Sequence, residues 1–211
     1  MVSRRRHDER SIRRRGPTRE PKRRILIVCE GQETERGYFK GFQHEVRNPR
    51  VHVEVAGETG EPLQVVQVAV RRKDEAASEA RQQRDENLRW DEVWGVFDVD
   101  EHARLDAARQ LARKNGIDLA ISNPCFELWA LLHFQEQQAH IERDKAKAAL
   151  QRHLPGYDKA LDFARLHPGY SEAVRRAQRL DEDAERQEKP GRNPTTGVYR
   201  LTESIRQGGG P

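Results

Sequence analysis

Glu30 follows the apolar run ILIVC and opens the segment EGQETE, while Asp98 and Asp100 close the apolar run VWGVF as DVD. Two carboxylates two positions apart share one side of an extended segment. If the two runs are neighbouring strands, three hard oxygen donors meet at one sheet edge. That donor set suits Mg²⁺ or Mn²⁺. Such an ion can hold a phosphate, activate a water and stabilise a leaving oxygen. Without a cation the same carboxylates repel one another and their pKa values rise. The competing explanation is ordinary, since acids after strands also serve as helix caps. Glu33 and Glu35 stand beside Glu30. Each suits either a supporting carboxylate at the site or a helix N-terminus, where the macrodipole favours acid. Nucleotide binding through a Gly-rich loop finds no support, since the chain has no GxGxxG or Walker A loop, and the G-x-S-x-G nucleophile elbow is absent too.

The elements that must position these groups are legible as apolar patterns. Residues 23–29 and 92–97 are near-continuous apolar runs, expected of strands buried on both faces. Residues 51–55 alternate, and 117–121 form a fourth strand. Helices are expected over 34–46, with Thr34 as its cap, from Pro62 onward, over 103–115, and along the apolar stretch after Pro124. Beyond residue 135 the chain reads as polar helix, over about 142–153, 158–165 and 171–188. Strands alternating with helices predict an α/β domain with a mainly parallel four-stranded sheet and a helical C-terminal extension. The expected organisation is a basic arm over 1–22, a catalytic core over 23–138 and the extension over 139–211.

Composition narrows the classes. The chain has 211 residues, 35% hydrophobic and 35% charged, so much of it is solvated surface. No apolar run approaches the roughly 20 residues of a membrane span. The first residues carry no apolar signal region, and Cys29 and Cys125 sit in apolar surroundings as expected of reduced thiols. A cytoplasmic location follows as an expectation. Residues 1–24 hold eleven Lys/Arg against three acids, or +8, while the rest carries 28 against 32, or −4. Such an arm can neutralise phosphates and release counterions, or simply aid solubility. The basic residues expected to meet nucleic acid are Arg13, Arg14, Arg15, Arg23 and Arg24, with Arg71, Arg72 and Lys73 further on. Asn123 and Glu127 flank Pro124 beyond the fourth strand and are expected at the same edge as Glu30. Glu127 is a charge at the head of an apolar helix and calls for a partner. His133 lies about two helical turns along, as a packing residue or a general acid.

Three blocks together, ILIVCEGQETERGYFKGF, WGVFDVDEH and AISNPCFELWALLHF, resemble the RloB family of prokaryotic restriction and phage-defence loci. The resemblance spans about residues 23–205. It implies a Toprim-like Rossmannoid core, as in topoisomerases, primases and some nucleases. There a glutamate follows the first strand and a DxD the third, and together they bind Mg²⁺. Glu30 matches that glutamate; Asp98 and Asp100 match the DxD. His102 stands where such proteins often carry a further acid. The resemblance also implies a partner ATPase of the AAA/ABC type, encoded nearby.

The expectation is a metal-dependent nuclease acting on RNA, such as tRNA, or DNA. Glu30, Asp98, Asp100 and Glu127 would be its catalytic groups, and Glu33, Glu35, Asn123 and His133 would support them. The alternative is a non-catalytic module that binds nucleic acid or the ATPase. Geometry separates the two: convergent carboxylates favour metal chemistry, and pairing with arginine favours the module. Oligomeric state is left open.

Overall fold

The computed structural model describes residues 22–31, 33–57, 60–99 and 104–207. Asp100, His102 and the arm residues Arg13, Arg14 and Arg15 lie outside them. The chain runs β1 (Arg23–Cys29), α1 (Thr34–Val46), β2 (Val51–Gly57), α2 (Pro62–Gln83), β3 (Glu92–Asp98), α3 (Leu105–Asn115), β4 (Asp118–Asn123), α4 (Phe126–Leu132), α5 (Arg143–His153), α6 (Phe163–Leu166), α7 (Tyr170–Arg186), β5 (Thr195–Thr196) and α8 (Val198–Gln207). Among these residues no helix is long and apolar enough to cross a membrane.

The sheet has the order β2-β1-β3-β4-β5. Its first four strands are parallel, and β5 joins β4 antiparallel. β1 lies centrally, and Ile25 through Cys29 are fully buried. Its continuous apolar run follows from that position, because successive side chains enter opposite layers. Ile25, Ile27 and Cys29 join an aromatic-rich layer with Tyr38, Phe39, Phe42 and Trp129. Leu26 and Val28 join a smaller layer built on Val65, Val66, Ala69, Ala108 and Ala112. The sheet is thus sandwiched between helices, in a Rossmann-like α/β arrangement.

Three details differ from the pattern-based expectation. First, the sheet has five strands, not four. β5 is two residues long, too short to show a period, and lies in a Pro/Gly-rich segment expected to be a turn, with Thr195 or Thr196 capping a last helix. Ser122 and Thr196 face each other across the pair, and their buried hydroxyls lie 2.8 Å apart. Second, Thr34 does not cap α1. Glu33 holds the cap position without a side-chain bond, and the Thr34 hydroxyl donates to the Lys159 carbonyl at 2.8 Å. Third, the helix expected over 158–165 shrinks to α6. Pro155 and Gly156 (φ +84°) break the chain before it, and Asp162 caps the short turn that follows.

Strand pairing continues past the ends of β1 and β3. The Glu30 N–H donates to the Val96 carbonyl at 2.9 Å, and the Val99 N–H to the Ser122 carbonyl at 2.8 Å. These bonds fix the backbone of the residues that carry the carboxylates.

Candidate carboxylate and metal site

A cavity of about 440 Å³ opens beyond the carboxyl ends of β1 and β3. This is where open α/β sheets place their ligands. Glu30, Glu33, Glu35, Asp98 and Glu127 line it, together with Arg143 and Lys159. Glu30 reaches across to β3, where its Oε2 accepts the Asp98 N–H at 3.2 Å. Glu35 comes from the first turn of α1 and is buried. Gly31 makes room for it, since a Cβ there would overlap the Glu35 carboxylate. Glu127 comes from the first turn of α4. Its Oε1 accepts the Tyr157 hydroxyl at 3.0 Å, and the hydroxyl oxygen lies 3.5 Å from Thr34 Oγ1. Glu33 sits at the rim, exposed.

Charge is out of balance here. Burial first, and then the negative charges on Glu35, Glu127 and Glu30, hold the Asp98 carboxyl well above its ordinary range, while Arg143 opposes them. Burial also raises Glu35, with Glu127 and Glu30 adding to it. Arg143 Nη1 lies 3.3 Å from Asp98 Oδ2. The other oxygen, Asp98 Oδ1, is buried with no hydrogen-bond partner among the described residues. A buried carboxylate oxygen without a donor is costly and calls for a cation or a proton.

The donor chemistry fits a hard divalent ion: carboxylates, an orphaned oxygen and a like-charge excess. The described geometry does not complete a ligand set. Among the described residues no group of three or more His, Cys, Asp or Glu could hold a metal ion as placed. Asp100, the third expected ligand, lies outside them. Arg143 instead supplies positive charge to Asp98.

Other expected residues sit elsewhere. Asn123 turns away from the carboxylates and donates to the Gly191 carbonyl at 2.9 Å, lining a neighbouring cleft. His133 is buried among aromatic rings, with Nδ1 2.9 Å from the Trp129 carbonyl and Nε2 3.4 Å from the Tyr38 hydroxyl. Burial lowers its pKa to about 4. A neutral ring held in the core is a packing residue and not a general acid at this site.

The basic residues assigned to nucleic acid are also displaced. Arg23 and Arg24 begin β1, at the amino edge of the sheet, a whole strand from Glu30. Arg23 pairs with Glu92. Arg24 lies 4.1 Å over the Trp90 ring and donates to the Leu88 carbonyl. Arg72 pairs with Glu54, and Lys73 donates to the carbonyls of Asn115 and Gly116, both at 2.8 Å. Arg71 stays exposed beside Glu75. About ten residues of helix carry these three away from the start of α2, and the fold uses Arg72 and Lys73 as internal ties.

Arg143, Tyr157 and Lys159 were not singled out from the sequence. Arg143 left a faint signal, because a cation in the first turn of a helix opposes the macrodipole. Tyr157 and Lys159 left none, since a loop tyrosine or lysine gives no sign of its partner.

A Rossmann-like sheet with carboxylates gathered beyond two parallel strands defines an α/β protein of the acid-edged kind. The chain belongs to the RloB family: residues 25–205 match the family described as RloB-like protein. Among curated proteins none matches the chain.

Proposed function

We propose that the chain is a metal-dependent nuclease effector of a prokaryotic anti-phage defence system, with a Toprim-like core. Its substrate is a nucleic-acid phosphodiester, in host tRNA or other RNA, or in DNA. A partner ATPase encoded nearby controls it. One observation carries the reading: Asp98 Oδ1, buried and without a hydrogen-bond partner among the described residues, sits in a cleft shared with Glu30, Glu35 and Glu127. Family membership supports the same class.

Glu30, Asp98 and Asp100 would hold Mg²⁺ or Mn²⁺, which when bound supplies Lewis acidity at a phosphate oxygen and a water of lowered pKa. The remaining roles belong to the chain. Glu127, held by the Tyr157 hydroxyl, orients the attacking water and takes its proton. Glu35 adds negative charge that favours cation entry. Arg143 exchanges its Asp98 partner for the phosphate, where a guanidinium fork suits two oxygens.

A second reading has its own observation. The Arg143–Asp98 contact is what a non-catalytic module with a neutralised site would keep. One experiment separates them: cleavage of total tRNA, single-stranded RNA and plasmid DNA with Mg²⁺ or Mn²⁺, with and without the ATPase, for wild type and Asp98→Ala. Cleavage abolished in the variant supports the nuclease. No cleavage under any condition, with tight salt-sensitive binding retained, supports the module.

A further inference from the structure

A second cleft, of about 390 Å³, lies beside the carboxylate cavity on the α3 side of the sheet. Its floor is Leu119, Ile121 and Asn123, alternate residues of β4 that share one face. Arg109 and Arg113 enter from α3, four positions apart and so on one side of the helix. Arg200 enters from the first turn of α8. Asp181 and Glu185 of α7 form the opposite wall.

The three arginines are loosely held. Arg109 lies 3.7 Å from Asp106, a carboxylate 89% exposed. Arg200 lies 3.8 Å from Asp181, which already accepts the Tyr199 hydroxyl at 3.0 Å. The Arg113 side chain has no ion pair or hydrogen bond among the described residues. Arg109 and Arg113 place two like charges four apart on α3, a mildly unfavourable pair that an anion between them would relieve. The backbone makes space for Arg200. At Gly197 a Cβ would stand 2.7 Å from Arg200 Nη2, whereas at Gly191 it would make only ordinary contact with Arg109.

The cleft adjoins the carboxylates. Asp98 and Ser122 are register partners, and Asn123 is the next residue. Pro124, whose carbonyl accepts from Arg143 at 3.5 Å, and Cys125 are the chain between the two clefts. Asp98 and Ser122 face one layer while Leu119, Ile121 and Asn123 face the other, so a nucleic-acid strand leaving Asp98 meets the arginines by passing over the carboxyl end of β4.

We propose that Arg109, Arg113 and Arg200 form a backbone-phosphate subsite that holds the substrate strand beside the carboxylate cleft. The ligand is the phosphodiester of RNA or DNA, bound by charge and guanidinium forks without base reading. Its identity as a substrate strand rests on the nuclease reading.

The test is fluorescence anisotropy of the full chain, without metal, with labelled single-stranded RNA and DNA oligonucleotides across a salt series. Arg113→Glu and Arg109→Glu should each weaken binding at least about 10-fold, and the salt slope should fall by about 0.7 for each phosphate no longer neutralised. Glu185→Gln should tighten binding about 2-fold by removing the opposing charge. Circular dichroism confirms that each variant is folded. In cleavage, Arg113→Glu should raise KM with little change in kcat. Comparing the RNA and DNA arms names the sugar. Wild-type binding that the arginine variants leave unchanged overturns the subsite and spares the nuclease reading. Binding that they abolish, with no cleavage by wild type, keeps the subsite and sinks that reading. A mononucleotide binding as tightly as the oligonucleotide, or no binding of either, overturns the subsite.

Discussion

The two edges of the sheet handle charge in opposite ways. At the amino edge most charges meet charged or polar partners, although Arg23 Nη1 is buried without a hydrogen bond among the described residues and burial raises the Asp118 carboxyl. Glu92 alone pairs with Arg23 and accepts from the Trp94 indole at 2.8 Å and the Ser204 hydroxyl at 2.6 Å. Arg24 and Lys73 are likewise tied to carbonyls. At the carboxyl edge, Glu30, Glu35, Asp98 and Glu127 share one cavity, and burial keeps Asp98 and Glu35 reluctant to ionise. One edge has charges arranged for stability. The other keeps an excess of one sign at a cost to stability, as active sites commonly do.

The sharpest way to break that contrast is Asp98→Asn. Removing a carboxylate that would hold the metal should cost more than the 10- to 100-fold typical of outer-shell partners, hence at least about 100-fold in cleavage rate. Stability without metal should stay level or rise by about 1 kcal/mol, because a repelled, buried charge is gone. Single-turnover cleavage and urea midpoints measure the two effects. A large drop in stability would place Asp98 with the matched charges instead.

His133 provides a pH axis that belongs to neither edge. It is faced by Tyr38 from α1, by Arg176 and Tyr170 from α7, and more distantly by His167. Its folded pKa of about 4 lies below the usual 6.5. The unfolded chain therefore binds more protons between these values. Stability attributable to His133 is complete above pH 6.5 and is lost as pH falls toward 4, by about 3 kcal/mol. Urea titrations across pH 4–7 should show the slope, and His133→Gln should flatten it. An unchanged slope in the variant would assign the effect to other groups.

Glu92→Gln sharpens the comparison from the amino edge. It should lower stability by about 2 kcal/mol, since Arg23 loses its charged partner. Cleavage should stay within about 2-fold of wild type, because Glu92 stands at the far end of β3 from the cavity. A drop in activity of the folded protein would show that the edges are coupled. The smallest effect on stability is expected for Tyr157→Phe, which removes the hydroxyl that donates to Glu127. Cleavage should fall about 10-fold, with stability changed by less than about 1 kcal/mol.

How much of this was legible depends on how local each signal is. β1 and β3 were readable because burial on both faces leaves an unbroken apolar run. Glu30, Asp98 and Glu127 were readable because each acid follows or interrupts such a run. β5 was not, because two threonines have no period. Arg143 reaches the cavity, and Tyr157 its Glu127, from beyond α4, and nothing in their own neighbourhood encodes those contacts. The basic run 71–73 misled because composition shows charge but not its partner, and Arg72 and Lys73 meet theirs only after folding. Asn123 misled for a similar reason. Its place at a strand end was readable, but its turn toward Gly191 depends on a loop 68 residues away.

β5 also sets a timetable. Ser122 and its partner Thr196 are 74 residues apart in the chain. At about 5–20 residues per second, a ribosome takes about 4–15 s to make that interval. Until Thr195 and Thr196 emerge, the outer side of β4 has no strand beside it. A newborn chain thus spends seconds with the border of its second cleft unfinished. During that time its unpaired backbone is open to any passing strand.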